Sequence, residues 1–272
     1  MELGLSTSLL PQHALPKDLA LLTMAGQPWI EIHGYTPDEF DFGDHALVAV
    51  TKQTIARHGL RIWSCHSPAY EPLDLASLDT DLRMRSCEVM QQAMEASAEL
   101  GARVFVCDAV RSYRDARARE AQLPLYAESL YRLQRGAARM GLTLVIENQT
   151  REWGPFTTPE DFLSLVTDYN LAGLGACWDT GHGWIAGYPP ETACRLSTHL
   201  VTLHVHENDG QHDQHRLPAT GTLPWRAFVE ALSRIGYDGP FMMELVPPDP
   251  PTAEAISRLV REAVEVHRAL LG

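Results

Sequence analysis

Short apolar runs alternate along the chain with longer amphipathic runs. The short runs are rich in β-branched and aromatic residues, as is typical of strands that are covered on both faces. The sequence predicts strands at Leu3–Leu9, Trp29–His33, Arg61–His66, Arg103–Asp108, Thr143–Glu147, Gly175–Asp179, Val201–His206 and Phe241–Leu245.

The longer runs place apolar residues at helical spacing and end in signals that stop a helix. They predict helices at Asp79–Leu100, Ala121–Met140, Pro224–Ile235 and Pro251–Leu271. Glycine follows the first three at positions 101, 141 and 236, where it adopts the left-handed backbone that ends a helix. Another helix is expected to begin with Thr158 as its N-cap and Pro159 in its first turn.

Eight strands, with helical patterns between them, indicate the fold class. Divided among eight units, the 272 residues give 34 residues each, which suits a repeating strand, loop and helix. We therefore predict a single (β/α)8 barrel spanning residues 1–272. An open sheet with an irregular extra layer is the alternative. No GxGxxG pattern follows the first strand, so the fingerprint of a dinucleotide-binding fold is missing.

Composition argues against some classes of function and indicates the cellular compartment. With 35 acidic and 22 basic residues, the chain has a net charge of −13, which disfavours a nucleic-acid partner. The five cysteines are odd in number and contain no CxxC pair, as expected for reduced thiols. The N-terminus lacks the features of a signal peptide, and no run of 18 apolar residues exists. These features predict a cytoplasmic protein without membrane contact.

Ionisable residues stand at the carboxyl ends of the last four predicted strands. They are Glu147, Asp179, the pair His204 and His206, and Glu244. In a parallel barrel these ends converge on one mouth, where the active site lies. Converging carboxylates repel one another unless a cation lies between them. A set of carboxylates and imidazole suits one divalent ion: Mn, Mg, Co or Zn.

Half of the 12 histidines fall between His182 and His215. Being two residues apart in a strand, His204 and His206 face the same side, so one can bind the metal while the other contacts the substrate or a ligand. His182, Asp213 and His215 lie near the same mouth. These three are candidates for a second metal site, for which zinc is the expected ion, or for substrate contacts.

The motifs together resemble the xylose-isomerase-like TIM-barrel superfamily, over essentially the whole chain. The resemblance rests on four segments: Ile146-Glu147-Asn148, Trp178-Asp179-Thr180-Gly181-His182, the run from His204 to Gly210, and Met243-Glu244. This superfamily includes sugar and sugar-phosphate isomerases and epimerases, and also the apurinic-site DNA endonucleases of family 2. The motifs are specific for the superfamily and not for a substrate.

The resemblance to the isomerases implies a role for each strand-end residue. It implies that Glu147, Asp179, His204 and Glu244 bind one metal, and that Glu147 and Glu244 act as acid and base. His204 is chosen over His206 because an acid, Glu207, follows it by three residues. A metal-stabilised enediolate is the expected intermediate.

The resemblance also assigns further substrate contacts. It implies that His182 contacts substrate hydroxyls, and position in the predicted barrel adds five more candidates for substrate binding: His66, His206, Trp153, Trp184 and Arg216. The expected substrate is a small carbohydrate, phosphorylated or not. Relatives in the superfamily often form dimers or tetramers, so a homodimer or homotetramer is expected.

Two alternative functions stay open at the level of the sequence. The DNA endonucleases bind three zinc ions, with additional ligands that match His66, His182, Asp213 and His215. They also use a histidine from the fourth strand, whereas this chain has Val106-Cys107-Asp108-Ala109 there. A hydrolase with two or three metals is therefore one alternative. A lyase or dehydratase acting on a polyhydroxy acid is the other.

Overall fold

The computed structural model describes residues 1–13, 15–107, 116–150, 154–247 and 249–272, with side chains left out for 116–119. It contains eight strands. They are β1 (Leu3–Ser6), β2 (Trp29–His33), β3 (Arg61–His66), β4 (Val104–Cys107), β5 (Thr143–Glu147), β6 (Gly175–Asp179), β7 (Leu200–His204) and β8 (Phe241–Met243). Trp153 and the last residue of the predicted fourth strand, Asp108, lie outside the described residues.

Helices connect the strands in the described parts of the chain. They are α1 (His45–His58), α2 (Thr80–Leu100), α3 (Ala116–Arg139), α4 (Pro159–Asp168), α5 (Thr180–Ile185), α6 (Trp225–Ile235) and α7 (Ala253–Leu271). Segments of 3-10 helix cover Thr7–Leu9, Lys17–Ala25 and Pro190–His199.

The strands form a ring in which each strand is parallel to its neighbours. Their order is β7-β6-β5-β4-β3-β2-β1-β8. The ring closes between β7 and β8, where the backbone N–H of Val205 donates to the carbonyl of Met242 at 2.8 Å and Val205 bridges Met243 in parallel. The predicted single (β/α)8 barrel is therefore confirmed.

The helix-stop signals behave as predicted, but two helices, α1 and the short α5, were not predicted. Thr158 caps α4 by accepting a hydrogen bond from the backbone of Asp161, and Gly101 and Gly236 end their helices with positive φ. No helix was predicted between β2 and β3, where α1 lies. Valine, threonine and isoleucine in α1 weaken the helical signal, while the Asp44 carboxylate caps its first turn.

Side-chain alternation explains why the strand ends point into the mouth. Val104, Val106, Val145 and Cys177 form a small cluster of their own, separate from the main core that includes Phe105, Leu144, Ile146 and Ala176. Because alternate residues face opposite sides, the small cluster fills the barrel interior and the main core lies between strands and helices. Glu147 follows Val145 by two residues and therefore also faces inward.

Two further expectations concern the cysteines and the possibility of a membrane-spanning helix. All five cysteines are free thiols, and four of them are buried. Across the described ranges, no helix combines the length and the apolar character needed to cross a membrane.

Candidate metal centre

Three carboxylates and one imidazole meet at the carboxyl ends of neighbouring strands. Glu147, Asp179 and His204 are the last residues of β5, β6 and β7, and Glu244 directly follows β8. All four are at most 5% exposed. One ligand atom from each lies within 4.8 Å of the other three. The structure thus brings together the four residues that the sequence suggested as metal ligands.

His204 is the centre of this group. Its Nδ1 lies 3.0 Å from Glu147 Oε1 and 3.2 Å from Glu244 Oε2. Neither Glu147 Oε1 nor His204 Nδ1 takes part in a hydrogen bond with a described residue, although both atoms are buried. Buried polar atoms rarely stay unpaired in folded proteins. A divalent cation between these atoms would satisfy them, so the residues present fit a metal ion.

The pKa values reflect the same concentration of charge. Burial opposes protonation of His204, but the groups around it, led by Cys177 and Glu244, raise its pKa well above the usual value. Burial would raise the pKa of Glu147 and of Glu244, yet His204 beside them holds both pKa values well below the usual range. The imidazole and the two carboxylates therefore stabilise one another's charged forms.

Glu31 lies beneath His204 and was missed by the sequence analysis. It is fully buried in β2, and its Oε2 lies 3.1 Å from His204 Nε2. The same oxygen accepts a hydrogen bond from the Ser64 hydroxyl at 2.7 Å. A carboxylate that holds one nitrogen of an imidazole leaves the other nitrogen for a metal. The one available signal was a single acid between the apolar residues Ile30 and Ile32.

Asn148 and Asp179 tie the ends of β5 and β6 together. The backbone N–H of Asp179 donates to Asn148 Oδ1 at 2.6 Å, and Asn148 Nδ2 donates to the Asp179 carbonyl at 3.0 Å. Asp179 Oδ1 then accepts the backbone N–H of His182 at 2.6 Å, which starts α5. These bonds fix the aspartate and place His182 over the mouth.

His206 is a second buried imidazole at the same place. Its Nε2 lies 2.9 Å from Asp179 Oδ2 and 3.6 Å from Asp213 Oδ1. Its ring stacks on that of His215, with centroids 3.9 Å apart. His206 therefore lies between the four-residue group and the second group predicted from the sequence.

The second group, His182, Asp213 and His215, also comes together. The Nε2 atoms of both histidines lie 3.1 Å from Asp213 Oδ2. Their Nδ1 atoms lie 2.9 Å from the Asn148 carbonyl and 3.1 Å from the Glu244 carbonyl, respectively. If each Nδ1–H donates to its carbonyl, both Nε2 lone pairs face the carboxylate, an arrangement suited to a metal.

Charge and loop structure hold this second group in place. Burial opposes protonation of His215, but hydrogen bonding to Asp213 raises its pKa to about 9. The loop that carries both residues is anchored by Glu207, which is fully buried and accepts a hydrogen bond from Trp225 Nε1 at 2.7 Å. Glu207 also pairs with Arg216 through two backbone hydrogen bonds.

A cavity of about 830 Å³ opens above the two groups. Its lining includes His33, His66, Glu147, His182, His215 and Glu244. His206, Trp184 and Arg216, all predicted to contact substrate, are not among the described lining residues. Trp184 is half-buried, with its Nε1 close to Gly210, and Arg216 is exposed.

A parallel (β/α)8 barrel with clustered ligand-type side chains at its carboxyl mouth defines a class of barrel enzymes that act at that mouth. Residues 19–262 match the sequence pattern of the xylose isomerase-like TIM barrel family. The chain belongs to this family, as its motifs led us to expect.

Similar proteins include enzymes of sugar metabolism. The chain is 28% identical over 225 residues to a ketose 3-epimerase of Arthrobacter globiformis, covering 81% of this chain and 73% of that enzyme. It is 28% identical over 189 residues to an uncharacterised protein of Methanocaldococcus jannaschii, covering 66% of this chain and 62% of that protein. The crystal structure of a D-tagatose 3-epimerase-like protein superposes with a TM-score of 0.81 at 22% identity, with both chains fully covered.

Proposed function

We propose that the protein is a divalent-metal-dependent isomerase or epimerase of ketose sugars, in which Glu147 and Glu244 transfer the proton. One observation carries this proposal. The two glutamates come from β5 and β8, contact the same nitrogen of His204 at 3.0 and 3.2 Å, and both line the cavity. Two carboxylates that flank one cation can act on two faces of a substrate held between them.

The metal ligands in this proposal are Glu147, Asp179, His204 and Glu244. Their oxygen and nitrogen atoms suit Mn, Mg, Co or Zn. When bound, a divalent ion supplies Lewis acidity that polarises the substrate carbonyl and makes the neighbouring C–H bond more acidic. His206 supports Asp179 from the side, and an ion placed closer to Asp179 would take the His206 nitrogen in place of His204.

The residues of the chain then carry the proton. One glutamate removes a proton from the carbon next to the carbonyl, which leaves an enediolate. The other glutamate returns a proton to the opposite face, which inverts that carbon. Removal of a proton from C1 of the ketose, with return of a proton to C2 and loss of the C1 hydroxyl proton, would instead convert the ketose to an aldose. His182 Nδ1 lies 3.5 Å from Glu147 Oε1 and His182 lines the cavity, which supports its proposed contact with a substrate hydroxyl.

An uncharged ketose is the substrate class that the cavity favours. The relative from Arthrobacter globiformis is a ketose 3-epimerase, which supports a ketose. The cavity lining contains the carboxylates of Glu39, Glu147, Asp213 and Glu244, and within the described part of the chain it contains no lysine or arginine. Among the described lining residues there is thus no guanidinium or ammonium group to hold a phosphate, which supports a sugar without one.

The group of His182, Asp213 and His215 supports a second candidate function. Two imidazole nitrogens lie 3.1 Å from one carboxylate oxygen, and zinc is the ion best suited to such a set. A hydrolase with two or three metals would use this group, whereas the net charge of −13 opposes a DNA substrate. The number of ions required for activity separates the two functions, since the isomerase needs only one ion per chain to react.

Activity measurements test the proposal. The purified protein, loaded separately with Mn²⁺, Co²⁺, Mg²⁺ or Zn²⁺, is incubated with a panel of free and phosphorylated ketoses, and the products are separated by chromatography. Glu147→Gln and Glu244→Gln should each lose at least about a thousandfold in kcat, given what proton-transferring groups contribute. Glu230→Gln, a change at an exposed glutamate, should leave the rate unchanged. Full activity in either cavity variant would contradict the mechanism.

A further inference from the structure

Each of the two glutamates has a second oxygen that faces a second histidine. Glu147 uses Oε1 for His204, and its Oε2 lies 3.3 Å from His66 Nε2. Glu244 uses Oε2 for His204, and its Oε1 lies 3.3 Å from His33 Nε2. The carboxylates therefore form a double bridge between His204 on one side and the pair His33 and His66 on the other.

The chain holds both of these imidazoles with Nε2 turned toward the glutamates. His66 Nδ1 lies 3.2 Å from the Ser67 carbonyl, and His33 Nδ1 lies 3.2 Å from Glu39 Oε2. Glu39 Oε2 is itself held by the backbone N–H of Thr36 at 3.0 Å. A histidine whose Nδ1–H has an acceptor presents the lone pair of Nε2, as His66 does toward Glu147. His33 Nδ1 lies near Glu39 but forms no hydrogen bond with a described residue, so only the lone pair of His66 is fixed in this way.

Position and burial agree with a metal-binding role for these atoms. One ligand atom from each of His33, His66 and Glu244 lies within 4.8 Å of the other two. The two rings are neighbours, with centroids 4.9 Å apart. His33, His66 and both glutamates line the cavity, so an ion can reach them from solvent.

We propose that His33, His66 and Glu244, with Glu147 Oε2 beside His66, form a further divalent-cation site, the glutamate-bridged site. Two imidazoles favour Zn²⁺ or Co²⁺ over Mg²⁺, which prefers oxygen ligands. This site is distinct from the group of His182, Asp213 and His215.

Occupation of the glutamate-bridged site has a consequence for catalysis, which rests on the function proposed above. The ion would lie against the two carboxylates that line the cavity and transfer the proton. An ion there holds them as ligands, so they no longer remove or return a proton. Excess Zn²⁺ or Co²⁺ should therefore inhibit an enzyme that one ion has already activated, whereas excess Mg²⁺ should not.

Metal counting on histidine variants tests the site itself. The metal-free full-length protein is titrated with Co²⁺, and bound cobalt is measured by equilibrium dialysis and visible absorption. The double variant with His33→Asn and His66→Asn should lose one bound cobalt per chain or bind it at least about 100-fold more weakly. Mutation of residues that only support a metal ligand already lowers metal affinity about 10- to 100-fold, and these two residues are the proposed ligands themselves. His45→Asn, at an exposed histidine of α1, is the matched control and should bind cobalt as the unchanged protein does.

The activity readout is separate from the metal count. Inhibition by excess Zn²⁺ should disappear or shift at least tenfold in the double variant. If that variant binds as many cobalt ions as the unchanged protein, with equal affinities, the glutamate-bridged site does not exist. A full cobalt count together with a raised KM would show that the two histidines bind sugar instead. If no ketose reacts, the function proposed above fails, yet the cobalt count still decides whether this site exists.

Discussion

Replacement of Glu31 by glutamine removes the buried charge beneath His204 while keeping the side chain's size. Glu31 Oε2 lies 3.1 Å from His204 Nε2 and accepts the Ser64 hydroxyl at 2.7 Å. Without this charge, the imidazole loses the partner that fixes its ring and that increases its basicity as a ligand. We expect the variant to fold, because the substitution is isosteric, and to bind the first metal ion more weakly.

The size of the effect follows from the kind of contact that is lost. Hydrogen bonds to charged groups contribute about 1.5–3 kcal/mol, and each 1.4 kcal/mol is a factor of ten in affinity. We therefore expect Glu31→Gln to bind Mn²⁺ roughly 10- to 100-fold more weakly, as measured by calorimetric titration at fixed pH. Ser64→Ala, which keeps the charge and removes one hydrogen bond, should lose less than tenfold. Affinity in Glu31→Gln within a factor of two of the unchanged protein would refute this role.

Three further predictions follow from close contacts and charges. Gly181→Ala places a Cβ 1.9 Å from His206 Cε1, so it should lower the free energy of unfolding by about 1–3 kcal/mol, as measured by thermal unfolding. Gly136→Ala, whose new Cβ would have its nearest contact at 3.5 Å, is the control and should not lower it. Asp213→Asn should reduce the zinc bound at saturation by one ion per chain in elemental analysis; an unchanged count would exclude the second group as a metal site. In the metal-free protein, the pKa of His215 is raised from 6.5 to about 9, so its contribution to stability is complete below pH 6.5 and lost as the pH rises through about 9. Denaturant unfolding at several pH values should show this loss in the unchanged protein and much less of it in Asp213→Asn.

The sequence predicted those parts of the site that depend on one strand at a time. Glu147 and Asp179 end apolar runs whose bounds match β5 and β6, so strand periodicity and parallel topology suffice to place them at one mouth. Asp213 and His215 lie in a loop and not at the end of a strand. Their Asp-x-His spacing in the sequence still indicated candidate metal ligands. The resemblance to a known family supplied the choice among these residues.

Other parts of the site depend on contacts between distant strands, which no local pattern shows. Glu31 meets Ser64 and His204 only because β2, β3 and β7 enclose one interior. His33 reaches Glu244 only because β8 pairs with β1, which pairs with β2. A glutamate inside an apolar strand is a usable signal, but the sequence cannot indicate which imidazole it contacts.

The most direct test of the central claim is the fate of one hydrogen atom. A reactive ketose is incubated in D₂O with the metal-loaded protein, and the product is analysed by NMR and mass spectrometry. Proton transfer through Glu147 and Glu244 predicts that the product carries deuterium at the carbon whose configuration changes, and that Glu147→Gln and Glu244→Gln abolish its incorporation. Complete conversion to a product without deuterium at that carbon would contradict the account.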